Sequence, residues 1–164
     1  MHRVSTGFFA TFLFVLFLGE PAMAEKRVAL VIGNSEYTYS PPLKNPVNDA
    51  RLMTRTLRSL GFAVVERIDA DQKAMKRAIR EFGDRLIDAG RDAVGLFYYS
   101  GHGVQVDGVN YLIPVTAEIN KAEDLPIETV SADDVMWTIT GARNRLNIII
   151  FDACRNAPKF ASKY

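Results

Sequence analysis

The chain carries a single cysteine, Cys154, and two histidines, His2 and His102. A thiol attacks a carbonyl as its thiolate, so it needs a base or a cation within hydrogen-bond reach. His2 lies in a segment expected to be removed, which leaves His102 as the imidazole available for that work. It stands in the run Ser100-Gly101-His102-Gly103. Glycines on both sides let a substrate backbone approach and leave the Gly103 amide to point at an oxyanion. The amide of Cys154 is the second donor such a hole needs. Each feature also has a plainer reading. The glycines around His102 could serve a loop that requires positive φ angles, and Cys154 could be a small buried apolar residue at a strand end.

Residues 1–24 differ in kind from the rest. Arg3 is followed by an apolar run from Phe8 to Leu18, interrupted by Thr11, and then by Pro21-Ala22-Met23-Ala24. This is the pattern of a secretory signal peptide cleaved after Ala24. The run falls short of the roughly 20 residues that span a bilayer. The expected place of the mature chain is therefore the periplasm or the extracellular space, with one domain over residues 25–164. No disulfide can form within these residues, and a lone thiol in an oxidising compartment is a liability unless it is buried or used.

At 48% apolar residues and a net charge of +1, from 20 basic and 19 acidic side chains, the chain has the composition of one globular domain. It shows no basic run or aromatic-basic interleaving, so no nucleic-acid partner is expected. Neither G-x-G-x-x-G nor G-x-x-x-x-G-K-[ST] occurs, which argues against a nucleotide-binding domain. No cofactor is expected.

The elements that must position His102 and Cys154 follow from hydrophobic patterning. Short apolar runs at Arg27–Ile32, Phe62–Val65, Ala93–Tyr99 and Leu146–Phe151 read as buried strands. Asn45 as N-cap and Pro46 as first helical residue open a helix whose apolar positions are Leu52, Met53, Leu57 and Leu60, ended by Gly61. Asp71 opens a second helix, with Met75, Ala78, Ile79, Phe82, Leu86 and Ile87 at helical spacing up to Gly90. Asp107-Gly108 predicts a hairpin turn. Ser131 and Asp134 resemble a capping box for a helix through Val135 and Ile139. This alternation predicts an open, mostly parallel α/β sheet with helices on both faces. Ligands bind such sheets beyond the carboxyl ends of the strands, and His102 and Cys154 both stand just past a predicted strand.

Tyr98-Tyr99-Ser100-Gly101-His102-Gly103 and Asp152-Ala153-Cys154-Arg155 resemble the two motifs of the caspase-like clan of cysteine peptidases. His102 and Cys154 are 52 positions apart, against about 50 in that signature. Ile32-Gly33-Asn34, Asn45 to Ala50 and Asn110-Tyr111-Leu112-Ile113-Pro114 are similar to bacterial members, and the resemblance spans residues 27–157. It implies a caspase-like three-layer α/β/α sandwich with a mostly parallel open sheet, truncated after the nucleophile strand. It also implies His102 as general base, Cys154 as nucleophile, and the Gly103 and Cys154 amides as oxyanion hole. Aspartate-cutting caspases carry Gln where this chain has Asp152. Metacaspases, which cut after Arg or Lys, have aspartate there and a second in an Asn-Asp-Ala segment, matched by Asp49. The implied substrate is thus a protein or peptide with Arg, then Lys, before the cleaved bond. Asp49 could instead only favour its helix terminus, and Asp152 only bond loop amides. Asp133-Asp134 resembles a calcium-binding pair of some metacaspases, but calcium takes six to eight oxygens and helix capping is the better reading, so no metal is assigned. Because the family's fold continues past the nucleophile, self-association or a partner that completes the sheet is a further expectation. The alternative function is a catalytically inactive caspase-like interaction domain of the cell envelope.

Overall fold

The computed structural model describes residues 25–154; the expected signal peptide over residues 1–24 and the segment after Cys154 lie outside the described residues. The elements are β1 (Arg27–Gly33), α1 (Pro46–Ser59), β2 (Phe62–Ile68), α2 (Gln72–Ala89), β3 (Val94–Val106), β4 (Val109–Leu112), α3 (Leu125–Glu128), β5 (Val130–Ser131), α4 (Ala132–Ala142) and β6 (Leu146–Cys154).

Strands β2, β1, β3 and β6 lie side by side in that order, all parallel. The chain moves one way across the sheet from β1 to β2 and the other way from β2 to β3 and from β3 to β6. Right-handed crossovers then put α1 on one face and α2 and α4 on the other. Ala50 and Leu57 of α1 pack against Ala29, Val31, Leu96 and Tyr98. On the opposite face Met75, Phe82 and Leu86 of α2, with Val135 and Ile139 of α4, cover Leu30, Ile32, Phe97 and Tyr99. The three-layer α/β/α sandwich is the expected one. The sheet is mixed rather than wholly parallel, because β4 pairs antiparallel with β3 and β5 with β4.

Three local readings change. β3 does not stop at Tyr99 but runs through Ser100-Gly101-His102-Gly103 to Val106. The turn comes at Asp107 (φ +50°) and Gly108 (φ +81°), as the hairpin signal predicts. Asn45 occupies the N-cap position of α1 with helical backbone angles and no side-chain cap bond. The Val47 N–H instead donates to the Ser35 hydroxyl, at 3.3 Å, so α1 is capped from the loop that follows β1. Leu52 and Leu60 are exposed, and the buried stripe of α1 is Pro46, Ala50, Thr54 and Leu57. At Pro46 and Ala50 the helix approaches Gly33 of β1 closely. By contrast α2 keeps its expected cap, with the Asp71 carboxylate accepting the Ala74 N–H at 2.6 Å.

Two substitutions test this packing in opposite directions. A Cβ on Gly33 would lie 2.5 Å from the Ala50 Cβ and 2.6 Å from the Pro46 carbonyl oxygen. Gly33→Ala should cost about 1–3 kcal/mol in urea unfolding, since backbone cannot yield as a side chain does. The Thr54 hydroxyl is buried without a hydrogen-bond partner, so the isosteric Thr54→Val should raise stability by about 1 kcal/mol. A loss there would mean that the hydroxyl is satisfied.

Candidate active site

The carboxyl ends of β1 and β3 border the point where chain order reverses, with β2 on one side of β1 and β3 on the other. Open α/β sheets bind ligands at such points because the two outgoing connections diverge and leave a crevice. Here the crevice is bordered by the loop after β1, residues 34–45, and by the far half of β3. In the β3–β6 ladder Ser100 lies opposite Asp152, Gly101 opposite Ala153 and His102 opposite Cys154. Paired strands stand about 4.8 Å apart, so residues far apart in sequence become lateral neighbours. Both positions lie within their strands, not just beyond them as the sequence suggested.

The position of Gly103 follows from the ladder. The Ile113 N–H donates to the His102 carbonyl at 3.1 Å, so His102 turns its backbone groups toward the β4 side. Backbone groups alternate along a strand. The Gly103 amide therefore faces away from β4, toward the side on which β6 lies.

His102 is held at its ring and at both backbone groups. Its ring Nε2 lies 2.8 Å from the Pro41 carbonyl oxygen. A carbonyl accepts and never donates, so Nε2 carries the proton, and in the neutral ring Nδ1 keeps a lone pair. The imidazole packs against the Tyr37 ring, with centroids 4.4 Å apart at a 53° tilt. The His102 N–H donates to the Tyr37 hydroxyl at 2.7 Å, and the Tyr99 hydroxyl donates to the His102 carbonyl at 2.7 Å. Neither Gly101 nor Gly103 has a positive φ, so the loop reading of these glycines is overturned. Gly101 is required for space: a Cβ there would lie 2.6 Å from the Tyr37 hydroxyl and 2.7 Å from that of Tyr99.

A buried polar network braces the loop that delivers Tyr37 and Pro41. Asn34 is fully buried; its amide donates to the Ile113 carbonyl at 3.1 Å and its oxygen accepts the Ala70 N–H at 3.0 Å. One side chain thus ties the ends of β1, β2 and β4. Asp69, in the left-handed region at φ +48°, accepts the Ser35 and Glu36 N–H groups at 2.7 and 3.0 Å. Sequence reasoning singled out none of Tyr37, Pro41, Asn34, Asp69 or Tyr99 as a site residue. The available signal was weak: two tyrosines and a Pro-Pro pair in a loop otherwise ready to be written off as a connection.

Asp152 stands beside Tyr98 and Ser100, on the α1 side of the sheet. The Tyr98 hydroxyl donates to the Asp152 carboxylate at 3.2 Å, and the Ser100 hydroxyl lies 3.5 Å from the same oxygen. Asp152 therefore bonds side chains rather than loop amides. Asp49 lies in the first turn of α1. Burial pushes the Tyr98 hydroxyl up to about 12, and the negative charges of Asp152 and Asp49 act in the same direction. The two carboxylates predicted for the substrate pocket thus both act on one tyrosine. Asp133 and Asp134 fall in the first turn of α4, where the Ser131 hydroxyl accepts the Asp133 N–H at 3.1 Å.

Tyr37, Tyr98 and Tyr99 all ionise above the ordinary value of 10.0, burial being the main cause for each. Below pH 10 these groups are neutral whether the chain is folded or unfolded. Above it the unfolded chain ionises first, so stability should fall as pH rises from 10 toward 12. Denaturant midpoints stepped across that range should show the fall, and Tyr98→Phe should make it shallower. Asp152→Asn should bring tyrosinate absorbance in at lower pH.

Known proteins resemble this chain in sequence and in fold. The family model described as Caspase domain, Peptidase_C14, matches residues 26–163. The human mucosa-associated lymphoid tissue lymphoma translocation protein 1 is 32% identical over 133 residues, covering 81% of this chain and 15% of that protein. Its mouse homolog is 32% identical over 137 residues, covering 84% and 16%. The chain thus spans about one sixth of the length of these relatives. Among solved structures, protein GSU0716 from Geobacter sulfurreducens superposes with a TM-score of 0.62 at 20% identity, over 81% of this chain and 52% of that one, a likeness of fold. The chain belongs to the caspase-domain family of peptidases.

Proposed function

We propose that the chain is a cysteine endopeptidase that cleaves after basic residues, Arg before Lys, with Cys154 as nucleophile and His102 as base. The observation that carries this reading is the β3–β6 register opposing His102 and Cys154, together with the Pro41 carbonyl that leaves Nδ1 as the acceptor. The Cys154 thiol gives its proton to Nδ1, and the thiolate adds to the substrate carbonyl carbon. The resulting oxyanion accepts from the Gly103 and Cys154 amides. Collapse breaks the C–N bond, the leaving amine takes the proton from the imidazolium, and a thioester remains. Water then gives a proton to His102 and attacks the thioester, and the acid product leaves as the thiol is restored.

The basic preference is supported by Asp152 and Asp49 around Tyr98. Two carboxylates attract a guanidinium and repel a substrate carboxylate. Arg is preferred over Lys because its fork can bond a carboxylate and a neighbouring hydroxyl together. Export by a cleaved signal peptide stands as a proposal from the sequence of residues 1–24. A second reading, an interaction domain without activity, is favoured by β6. Among the described residues β6 pairs with β3 alone, and Leu146, Ile148 and Phe151 on it are exposed. An unpaired apolar edge of this kind invites another strand, from a second copy or a partner.

Peptides with Arg, Lys or Asp before the scissile bond, assayed with the full chain, separate these readings. Turnover should be highest for Arg and be lost in Cys154→Ala and in His102→Ala. Asp152→Asn should cut kcat/KM for Arg roughly a hundredfold with less effect on uncharged residues. Equal cleavage after Asp would overturn the pocket, and a folded chain without turnover would favour the interaction domain.

A further inference from the structure

We infer that Tyr37 is a positioning residue for His102, holding its backbone and its ring with one side chain. The inference rests on the proposed role of His102 as base. Tyr37 touches that residue twice. Its hydroxyl accepts the His102 N–H at 2.7 Å, and its ring packs against the imidazole with centroids 4.4 Å apart. The first contact holds the peptide plane, and the second closes one face of the ring. Neither contact alone would set both. The carbonyl of Pro41, four residues on in the same loop, accepts the Nε2–H hydrogen bond, so one short segment holds the backbone, the face and the tautomer of the base.

The segment is rigid for identifiable reasons. Tyr37 is buried, in a cluster with Val104, Ile113, Val115 and Leu125. Its N–H donates to the Ser35 carbonyl at 3.2 Å, and Thr38 donates to the Val115 carbonyl at 2.8 Å. The Asp69 carboxylate grips the two amides just before Tyr37. The tyrosine hydroxyl reaches His102 because Gly101 has no side chain in the way. A second hydroxyl, from Tyr99, holds the His102 carbonyl, so the residue is gripped at both backbone polar groups by phenols.

Position at this level is worth rate. A base displaced from its productive geometry loses much of the advantage of being held near its partner, and the effect falls on kcat more than on KM. Tyr37→Phe removes the hydroxyl and keeps the ring. Losing the acceptor of one hydrogen bond should lower kcat about tenfold with KM within about twofold. Tyr37→Leu removes both contacts and should cost more. Gly101→Ala, which drives a methyl group against both hydroxyls, should resemble Tyr37→Leu with Tyr37 intact.

The decisive readout does not need turnover. In the full chain carrying His2→Gln, the sole imidazole is that of His102, and ring nitrogen-15 shifts report its tautomer. The parent should show one tautomer, with the proton on Nε2. Tyr37→Leu should show a mixture, and Tyr37→Phe a smaller change. If Tyr37→Leu does not fold, Tyr37→Phe and Gly101→Ala decide. The inference is overturned if the variants lose melting temperature while kcat and ring shifts stay as in the parent, or if nothing changes at all. Should the parent cleave no peptide yet show a locked ring that the variants release, the positioning stands and the peptidase reading fails.

Discussion

Parallel pairing between β3 and β6 sets the distance on which the site depends. Nine residue pairs run from Val94 opposite Leu146 to His102 opposite Cys154 without a bulge, so the register found in the buried middle of the sheet is carried unchanged to its carboxyl edge. A slip of one residue would turn every side chain of β6 to the wrong face. The apolar residues of β3 therefore do more than fill a core. Phe97 and Tyr99 are fully buried under α2 and α4, and Leu96 and Tyr98 are buried under α1, which pins β3 from both sides and gives β6 a fixed template.

Holding two positions side by side is necessary and not sufficient for the proposed dyad, because in the role proposed for it His102 must also present the right nitrogen. That task falls to polar groups. Asn34 joins three strand ends, Asp69 holds the amides leading to Tyr37, and the Ser35 hydroxyl caps α1. Buried polar groups are expensive to leave unpaired, so each bond in this network restricts the others. The loop after β1 is in effect part of the core. It delivers the Pro41 carbonyl to the imidazole with the precision of a strand, although it has no regular structure of its own.

The glycines show how a motif can be misread locally. Gly101 and Gly103 suggested a loop, since glycine is the residue of positive φ. In the structure they lie within β3, and Gly101 is there because two tyrosine hydroxyls occupy the space a side chain would take. Steric demand from residues distant in sequence leaves no local trace. Likewise Leu52 and Leu60 match helical spacing yet face solvent, because the stripe of α1 turned to the sheet is that of Pro46, Ala50, Thr54 and Leu57.

The sequence by itself determined the alternation of strands and helices, the three-layer arrangement, the turn at Asp107-Gly108, and the identity of His102, Cys154, Gly103, Asp49 and Asp152 as candidates. The elements follow from hydrophobic period and capping chemistry, which are properties of neighbours along the chain, whereas Asp49 and Asp152 became candidates through the resemblance of their motifs to a family. Tertiary structure alone decided that β3 continues through the His102 motif and that Ser35 rather than Asn45 caps α1. It also decided that Asp152 meets Tyr98, and that Tyr37, Tyr99 and Pro41 hold His102. Each of these is a contact made across the fold, between groups whose pairing depends on where the backbone has already been placed, and residue type and spacing do not record it.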